Sequence, residues 1–336
     1  MRTHKGDIKK VKKEVEKLTL DQLKAFKINY HKLIFGKPYA HYYIDDLSIH
    51  PNENLNTKLG YYEISDSVTR NFNEVIVGEK ITIKNSKNVE ILNNEIKFLK
   101  NLPNKIKSFF PKIKSYGKNF YKMDTISGLK LSYLLINNLL TKDDLENIYR
   151  SLITIHSSKT KISQKNINIY LNYFQKLKTR LGKENGIIKK FGNKNYNNLK
   201  ELLINYENLN KGSIGVIHGD PVLSNIIKKN NNELVFLDPR GSQGDKFTIF
   251  GDINYDFAKV YQSLYGYENI ILDKKIDLKY LKELRNHFEY LLKSNRKYTD
   301  INSIKYLTSS LYVSLVPFHD KKYATKFLDI SSDLIN

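Results

Sequence analysis

Strand-like and helix-like apolar patterns divide most of this chain into two parts. Between residues 57 and 127 the apolar residues form short runs that favour β-strands, and one amphipathic helix is predicted over 88–103. The predicted strands are LGYYEIS (59–65), NEVIVG (73–78), KITIK (80–84), KIKSYG (112–117) and NFYKMDTI (119–126). This order of elements predicts an α+β fold with a small β-rich lobe first.

After Gly128 the apolar spacing is mostly helical, and a strand–turn–strand pattern around residue 230 interrupts it. Thr141 and Asp144 have the spacing of a capping box at the start of one helix. The other predicted helices cover 165–182, 195–209, 276–294 and 301–334. We therefore expect a larger helical lobe that contains one inserted hairpin.

The composition narrows the class of protein. The chain has 336 residues, 40% of them hydrophobic, so it can build a sizeable core. It has no cysteine, which excludes disulfides, thiolate metal sites and cysteine nucleophiles. No apolar run approaches the ~20 residues of a membrane-spanning helix, and no signal-peptide pattern opens the chain. We therefore expect a cytoplasmic protein without a membrane span.

The net charge of +21 raises the hypothesis of nucleic-acid binding, because clustered lysine and arginine usually contact phosphate. Here the lysines occur in every segment together with abundant asparagine and isoleucine, which is typical of a compositional bias. A basic groove would still attract nucleotides and other anionic substrates. We expect a nucleotide and a small molecule as partners rather than nucleic acid, while the oligomeric state stays undefined.

A group of polar residues around the predicted hairpin has a spacing that suits chemistry. His218 and Asp220 follow the predicted strand SIGVI (213–217), so they lie where a loop can expose side chains. Asn225 opens the hairpin and Asp238 follows it, and the hairpin returns both to the same end. An amide oxygen and a carboxylate that converge there suit Mg²⁺, and Asp220 on the adjoining loop could accept a hydroxyl proton.

The stretch HGDPVLSN resembles the H-x-D-x-x-x-x-N motif of the aminoglycoside phosphotransferase and choline kinase group. That resemblance implies a protein-kinase-like bilobal fold, ATP or GTP as phosphate donor and Mg²⁺ as cofactor. It makes Asp220 the catalytic base and makes Asn225 and Asp238 the metal ligands. His218 would organise the loop, and Asp256 in the similar stretch GDINYDFAK would be structural at the site.

Each of these residues taken singly could also cap a strand or begin a turn, whereas the combined spacing favours catalysis. A kinase further needs a lysine on the nucleotide phosphates and a glutamate that holds it. Lys84 ends a predicted strand and Glu95 borders the buried face of the next helix, so we predict an ion pair between them. Lys80 is the rival lysine, and either member of the pair could instead be an ordinary surface residue.

Further nucleotide contacts follow from the same resemblance. The loop DSVTRNFN (66–73) would cover the phosphates, with Ser67 and Thr69 as donors in the absence of glycine. YKMDTISG (121–128) resembles the hinge between the lobes. There Met123 would line the base pocket, although it could be plain core, and the main chain from Asp124 to Ile126 would read adenine or guanine.

The loop after the metal aspartate is expected to contact the acceptor. The candidate residues are Arg240, Gln243, Asp245 and Tyr255. Arg240 could bind an anionic substrate, or it could pair with Asp252 or Asp256 in a structural role.

The first residues, in FGKPYAHYYIDDLSIHP, resemble the second half of a small haloacid-dehalogenase-type phosphatase associated with capsule synthesis. This implies that Lys37 steadies a phosphoryl group and that Asp45 and Asp46 hold Mg²⁺. The nucleophilic Asp-x-Asp strand of that family does not precede Met1, so we expect an incomplete α/β segment without phosphatase activity, either a vestige or part of a longer fused protein. Within it we predict a helix over 18–28 and a strand over 30–36.

The expected organisation has three parts: the phosphatase-like segment over 1–56, the kinase-like small lobe over 57–127 and the helical lobe over 128–336. The expected activity is phosphate transfer to a hydroxyl of a sugar, sugar derivative or amino alcohol, in surface-polysaccharide metabolism. The alternatives are an aminoglycoside-modifying phosphotransferase and a non-catalytic kinase-like nucleotide-binding module. A protein kinase is disfavoured, because no Ala-Pro-Glu-like motif follows Asp238.

Overall fold

A computed structural model of the chain describes residues 8–30, 32–35, 73–160, 162, 167–181, 185–244, 246–294 and 300–336. The chain divides into two compact units, Met1–Lys58 and Leu59–Asn336. In the first unit, helix α1 covers Ile8–Ala25 and buries Val11. The helix predicted over 18–28 therefore begins ten residues earlier. A strand is expected over 30–36, but the described residues 32–35 do not form one. The expected domain boundaries stay predictions.

The small lobe of the second unit is a four-stranded antiparallel sheet with α2 against it. Its elements are β1 (Asn73–Val77), β2 (Ile81–Ser86), α2 (Val89–Lys100), β3 (Ile113–Tyr116) and β4 (Phe120–Asp124), with the strands in the order β1-β2-β4-β3. Every second residue of β2 is buried, as the two-residue period of a strand requires. The predicted strands from 73 onward are confirmed, and the one predicted over 59–65 lies outside the described residues.

Helix α2 begins at Val89 because the Asn88 side chain accepts a hydrogen bond from the Ile91 amide at 3.1 Å. Its apolar residues then recur on one face, and Leu92 and Ile96 are among those buried in the main core. Asn94 and Glu95 are buried on the same helix, so α2 carries polar groups into the interior of the protein.

The helical lobe contains ten helices among the described residues. They are α3 (Leu131–Ile136), α4 (Lys142–His156), α5 (Phe174–Leu181), α6 (Asn185–Phe191), α7 (Asn193–Asn208), α8 (Ile253–Leu264), α9 (Tyr267–Ile271), α10 (Leu278–Ser294), α11 (Ile301–Leu315) and α12 (Lys321–Ile335), of which the five-residue α9 is a single turn. Both bonds of the predicted capping box are present at the start of α4, where the Thr141 and Asp144 side chains each accept the other's amide. Among the described residues, no helix is both long and apolar enough to cross a membrane.

The helical pattern predicted over 301–334 is confirmed, but it forms two helices with a break between them. Helix α11 ends at Leu315, a 3₁₀ turn follows over Val316–Phe318, and α12 starts at Lys321. Pro317 has no amide hydrogen to continue the α-helical ladder, which is the physical reason for the break. Because of this turn α12 folds back onto α11, whose residues are almost all buried.

Short strand pairs in the helical lobe position the polar loop. The strands are β5 (Leu129–Lys130), β6 (Ile214–Val216), β7 (Ile226–Lys228), β8 (Leu234–Phe236), β9 (Ser242–Gln243), β10 (Lys246–Phe247) and β11 (Phe250–Asp252). They form the antiparallel groups β5-β7-β8, β6-β11 and β9-β10. The predicted hairpin is β7 and β8, and the Leu237 amide donates to the Asn225 carbonyl at 2.8 Å beyond their paired residues. The hairpin thereby holds its two ends together.

Candidate active site

His218 organises the loop that follows β6. The ring is fully buried, its Nδ1 lies 3.1 Å from the Asp220 amide, and its Nε2 lies 2.8 Å from the Leu237 carbonyl. A nitrogen that accepts from an amide carries no proton, so the proton is on Nε2, which donates to Leu237. Burial lowers the pKa of His218, which keeps the imidazole neutral. One neutral ring therefore ties Asp220 to the end of the hairpin.

Asp256 anchors the same loop from α8. Its buried carboxylate accepts the amides of His218 and Gly219, both at 2.8 Å, and it lies 3.0 Å from the His156 Nε2 atom. Gly219 has φ +85°, and a Cβ there would lie 2.7 Å from the Cβ of Arg240, so a glycine is needed at this position. These contacts fix the backbone on which the next residue stands.

Asp220 projects from this anchored loop and is partly exposed. Its Oδ1 lies 3.0 Å from the Lys259 Nζ atom, and its side chain is 36% exposed, so a ligand can reach it. The Asn225 Nδ2 atom donates to the Asp220 carbonyl at 2.9 Å. This bond orients the Asn225 amide and joins the end of the HGDPVLSN stretch to Asp220.

Lys84 joins the small lobe to the loop after β8. Its Nζ atom lies 2.7 Å from Oε2 of Glu95 and 2.8 Å from Oδ1 of Asp238, and Tyr121 donates to Oε1 of Glu95 at 2.6 Å. Lys84 and Glu95 are buried, whereas the Asp238 side chain is 47% exposed. The structure therefore brings together the lysine, the helix carboxylate and the hairpin carboxylate. Lys80, the rival lysine, is exposed.

The pKa shifts in this trio follow from burial and charge. Burial opposes the charged form of Lys84, but the carboxylates of Asp238 and Glu95 outweigh it and raise its pKa. Burial raises the pKa of Glu95 more than Lys84 lowers it. For Asp238 the loss of hydration is outweighed by the Lys84 ammonium, so its pKa is lowered. Lys130 also acts on Asp238 by its charge, and burial lowers the pKa of Lys130 itself.

The residues predicted at the hinge lie at the end of β4. Met123 is buried in the main core, and its expected place in the base pocket stays a prediction. The Asp124 carboxylate lies 3.0 Å from the Lys114 ammonium, and Ile126 is half-buried in the segment that leads to the helical lobe. The Thr125 amide between them donates to the Lys80 carbonyl at 3.0 Å, so the small sheet uses that donor.

The acceptor candidates take two different positions. Gln243 is buried, and its amide nitrogen lies near the Gly251 backbone. The buried Tyr255 receives hydrogen bonds on its hydroxyl from the Lys176 Nζ atom at 2.7 Å and from the Arg240 Nη1 atom at 3.3 Å. The half-buried Arg240 thus shares the Tyr255 hydroxyl with Lys176.

Asp252 and Asp256, the expected alternative partners of Arg240, accept hydrogen bonds from other donors. Asp252 accepts the hydroxyl groups of Tyr173 and Tyr206 at 2.5 and 2.6 Å, together with two backbone amides. The partners of Asp256 are the loop amides and the histidine described above. The structural alternative for Arg240 is therefore not the arrangement found.

The predicted contacts Ser67, Thr69 and Asp245, and the phosphatase-like Lys37, Asp45 and Asp46, lie outside the described residues, and they stay predictions. Sequence reasoning missed Lys259 and Lys176. Lys259 lies one helical turn beyond Asp256 on α8, and that periodicity was a usable signal. Lys176 is on α5, and nothing in its local sequence indicates the approach to Tyr255.

No protein-family model matches the chain. A protein named "Protein LicA homolog" from Metamycoplasma hominis is 28% identical over 225 residues, which cover 65% of this chain and 77% of the relative. The crystal structure of choline kinase LicA from Streptococcus pneumoniae matches with a TM-score of 0.51 and 14% identity over 80% of this chain and 90% of that one. The GDP and kanamycin complex of APH(2")-IIia matches with a TM-score of 0.52 and 14% identity over 78% and 89%.

These structural similarities confirm the predicted fold class. The second unit has a kinase-like α+β fold, with a small antiparallel sheet and a larger helical lobe, as do the choline kinase and the aminoglycoside phosphotransferase. At such low identity the similarity defines the fold alone, and the chemistry must be argued from the site.

Proposed function

We propose that this protein is a small-molecule kinase that transfers the γ-phosphate of ATP or GTP to a hydroxyl group. The observation that carries the proposal is the contact of one amine, Lys84 Nζ, with Glu95 and Asp238 at once. It joins a strand of the small lobe, a helix and the loop after the hairpin at one point. This is the arrangement that phosphate transfer needs, with a fixed cation for the nucleotide phosphates beside a carboxylate suited to a metal.

The residues present fit a divalent cation. Asn225 and Asp238 offer the hard oxygen ligands that Mg²⁺ prefers, and Lys84 engages Oδ1 of Asp238, which leaves Oδ2 outside the ion pair. Among the described residues, no group of three or more acidic or histidine side chains could hold a metal alone. These two residues would therefore share the cation with phosphate oxygens, and bound Mg²⁺ would neutralise charge on them.

Asp220 is the residue placed to act on the acceptor. Its partly exposed carboxylate stands on a backbone held by Asp256 and His218, so it can orient an acceptor hydroxyl and take its proton. Lys84 supplies a fixed positive charge for the nucleotide phosphates, and Glu95 and Tyr121 keep that charge in place. We extend the proposal to an acceptor from surface-polysaccharide metabolism, on the ground of the phosphatase-like sequence pattern expected in residues 1–56.

The test is transfer of label from γ-³²P-labelled ATP and GTP to a panel of sugars, sugar derivatives, amino alcohols and aminoglycosides. We expect a labelled product that depends on the acceptor and on Mg²⁺. At limiting Mg²⁺ the Asp238→Asn variant should no longer form this product. Asp329→Asn, on the exposed side of α12, is the matched control and should behave as the parent. Equal transfer by Asp238→Asn at all Mg²⁺ concentrations would contradict the proposed metal site.

A further inference from the structure

A second group of basic side chains, separate from the Lys84 ion pair, lies beside Asp220. The Lys259 ammonium lies 3.0 Å from the Asp220 carboxylate. Lys176 and Arg240 both donate to the hydroxyl of Tyr255, at 2.7 and 3.3 Å. Three cations from the separate elements α5, α8 and the loop after β8 therefore surround one tyrosine and the candidate base.

Near these cations the described carboxylates are already engaged. Asp252 accepts two tyrosine hydroxyls, and Asp256 accepts the backbone of the loop. The charges that act most strongly on Lys176 are those of Arg240, Arg180 and Lys259, with Asp220 the opposing one. Burial and these cations lower the pKa of Lys176 well below its ordinary value, so its ammonium form is disfavoured until an anion lies beside it.

A cationic acceptor would meet a poor environment here. The ring of Tyr255 already has the Nζ atoms of Lys176 and Lys259 at 5.1 and 5.9 Å from its centre. These lysines take the position in which an aromatic face would attract a quaternary or protonated amine. An incoming amine would add another positive charge to a group that is already repulsive.

We propose that the acceptor is itself an anion: a hydroxyl compound with a phosphate or carboxylate group, bound by Arg240, Lys176 and Lys259 beside Asp220. The inference rests on the kinase function proposed above and narrows its substrate class. The planar fork of an arginine binds two oxygens of such a group at once, and the two ammonium groups add charge-assisted hydrogen bonds.

The transfer step balances with this acceptor. The hydroxyl oxygen of the anion forms a bond to the γ-phosphorus, while the bond from that phosphorus to the bridging oxygen breaks. The bridging oxygen keeps the electron pair and leaves with the nucleoside diphosphate. Asp220 takes the hydroxyl proton, and the anionic group keeps its own charge throughout.

The experiment compares acceptors that differ only in charge. The panel is glycerol with glycerol 3-phosphate and glycerate, glucose with glucose 6-phosphate and glucuronate, and the cations choline and kanamycin. Binding to the protein saturated with a non-hydrolysable ATP analogue and Mg²⁺ is followed by ligand-observed NMR, and turnover by release of the diphosphate. We expect an anionic member to bind at least tenfold more tightly than its neutral counterpart, and the phosphate and carboxylate arms show which oxyanion is preferred.

Variants test whether the basic residues cause this preference. Lys176→Gln and Arg240→Gln should each raise the KM or Kd of the preferred anion at least fivefold, with a smaller change in kcat. Lys178→Gln, exposed on the same helix, should leave both constants unchanged. Thermal unfolding of each variant verifies that it is folded, and Arg240→Lys should recover part of the affinity if charge is what counts.

The results separate this inference from the proposed function. If choline, kanamycin or a neutral member is phosphorylated best and Asp220→Asn abolishes the reaction, the kinase function stands and the anionic acceptor is wrong. If no anion in the panel binds better than its neutral counterpart, the inference is also wrong. If anions bind as expected but no member receives phosphate, the anion site stands and the kinase function is contradicted.

Discussion

The two sides of the site differ in how their charges are balanced. On one side Lys84 is enclosed by Glu95 and Asp238 at 2.7 and 2.8 Å, so one cation meets two carboxylates. On the other side Lys176, Lys259 and Arg240 gather around Tyr255, with the Asp220 carboxylate beside them. The first arrangement holds a catalytic cation in place, and the second leaves positive charge for a ligand to satisfy.

The largest effect on stability is expected when the ion pair of Lys84 with Glu95 and Asp238 is broken. Lys84→Met leaves the buried Glu95 carboxylate without its cation, which should lower the free energy of unfolding by about 3 kcal/mol. Chemical denaturation measures this, and exposed Lys80→Met is the control, with a change of at most ~0.5 kcal/mol. Adding Glu95→Gln to Lys84→Met should restore part of the loss. A stability loss of the same size in the control variant would contradict the assigned ion pair.

A smaller effect on stability is expected when the pH is lowered enough to protonate Asp238. The pKa of Asp238 is lowered from its ordinary 3.8 by Lys84, so its contribution to stability is present above pH 3.8 and is lost as pH falls through the lowered value. The stability difference between the parent and Asp238→Asn should therefore be constant near neutral pH and shrink below pH 3.8. Denaturation curves from pH 2 to 7 check this. A difference that grows as the pH falls would mean that the ion pair does not act on Asp238.

The smallest effect on stability is expected from replacing Lys176, one of the basic residues around Tyr255. The lowered pKa of Lys176 means that the folded state disfavours its charge, so Lys176→Gln should change stability by less than ~0.5 kcal/mol or increase it slightly. The contrast with Lys84→Met sharpens the comparison, because both substitutions replace a lysine, but only that of Lys84 is held in its charged form. A loss for Lys176→Gln as large as that for Lys84→Met would show that Lys176 has a structural role.

The parts of the fold that depend on local sequence could be predicted. The strands from 73 onward and the capping box of α4 follow from apolar spacing and from the side chains of Thr141 and Asp144. The convergence of Asn225 and Asp238 follows from hairpin geometry, since a hairpin returns its ends to one place. The ion pair between Lys84 and Glu95 could also be predicted, because a strand end followed by one helix limits which residues can meet.

The grouping of Lys176, Lys259 and Arg240 around Tyr255 could not be predicted from local sequence. Lys176 meets Tyr255 across 79 residues of sequence, and only the packing of α5 against the rest of the lobe brings them together. Met123 shows another limit, because an apolar residue in a strand has the same pattern in a core as in a base pocket. The break between α11 and α12 was signalled by Pro317, although the helical periodicity continues on both sides of it.

The most direct test of the central claim is the turnover of Asp220→Asn measured beside its nucleotide affinity. With the best acceptor found, we expect kcat to fall by about 10²–10⁴-fold, the usual contribution of a positioned base, while the Kd for nucleotide with Mg²⁺ stays within about twofold. Asp329→Asn should match the parent in both quantities. Phosphate transfer by Asp220→Asn at the parental rate, with nucleotide still bound, would contradict the account.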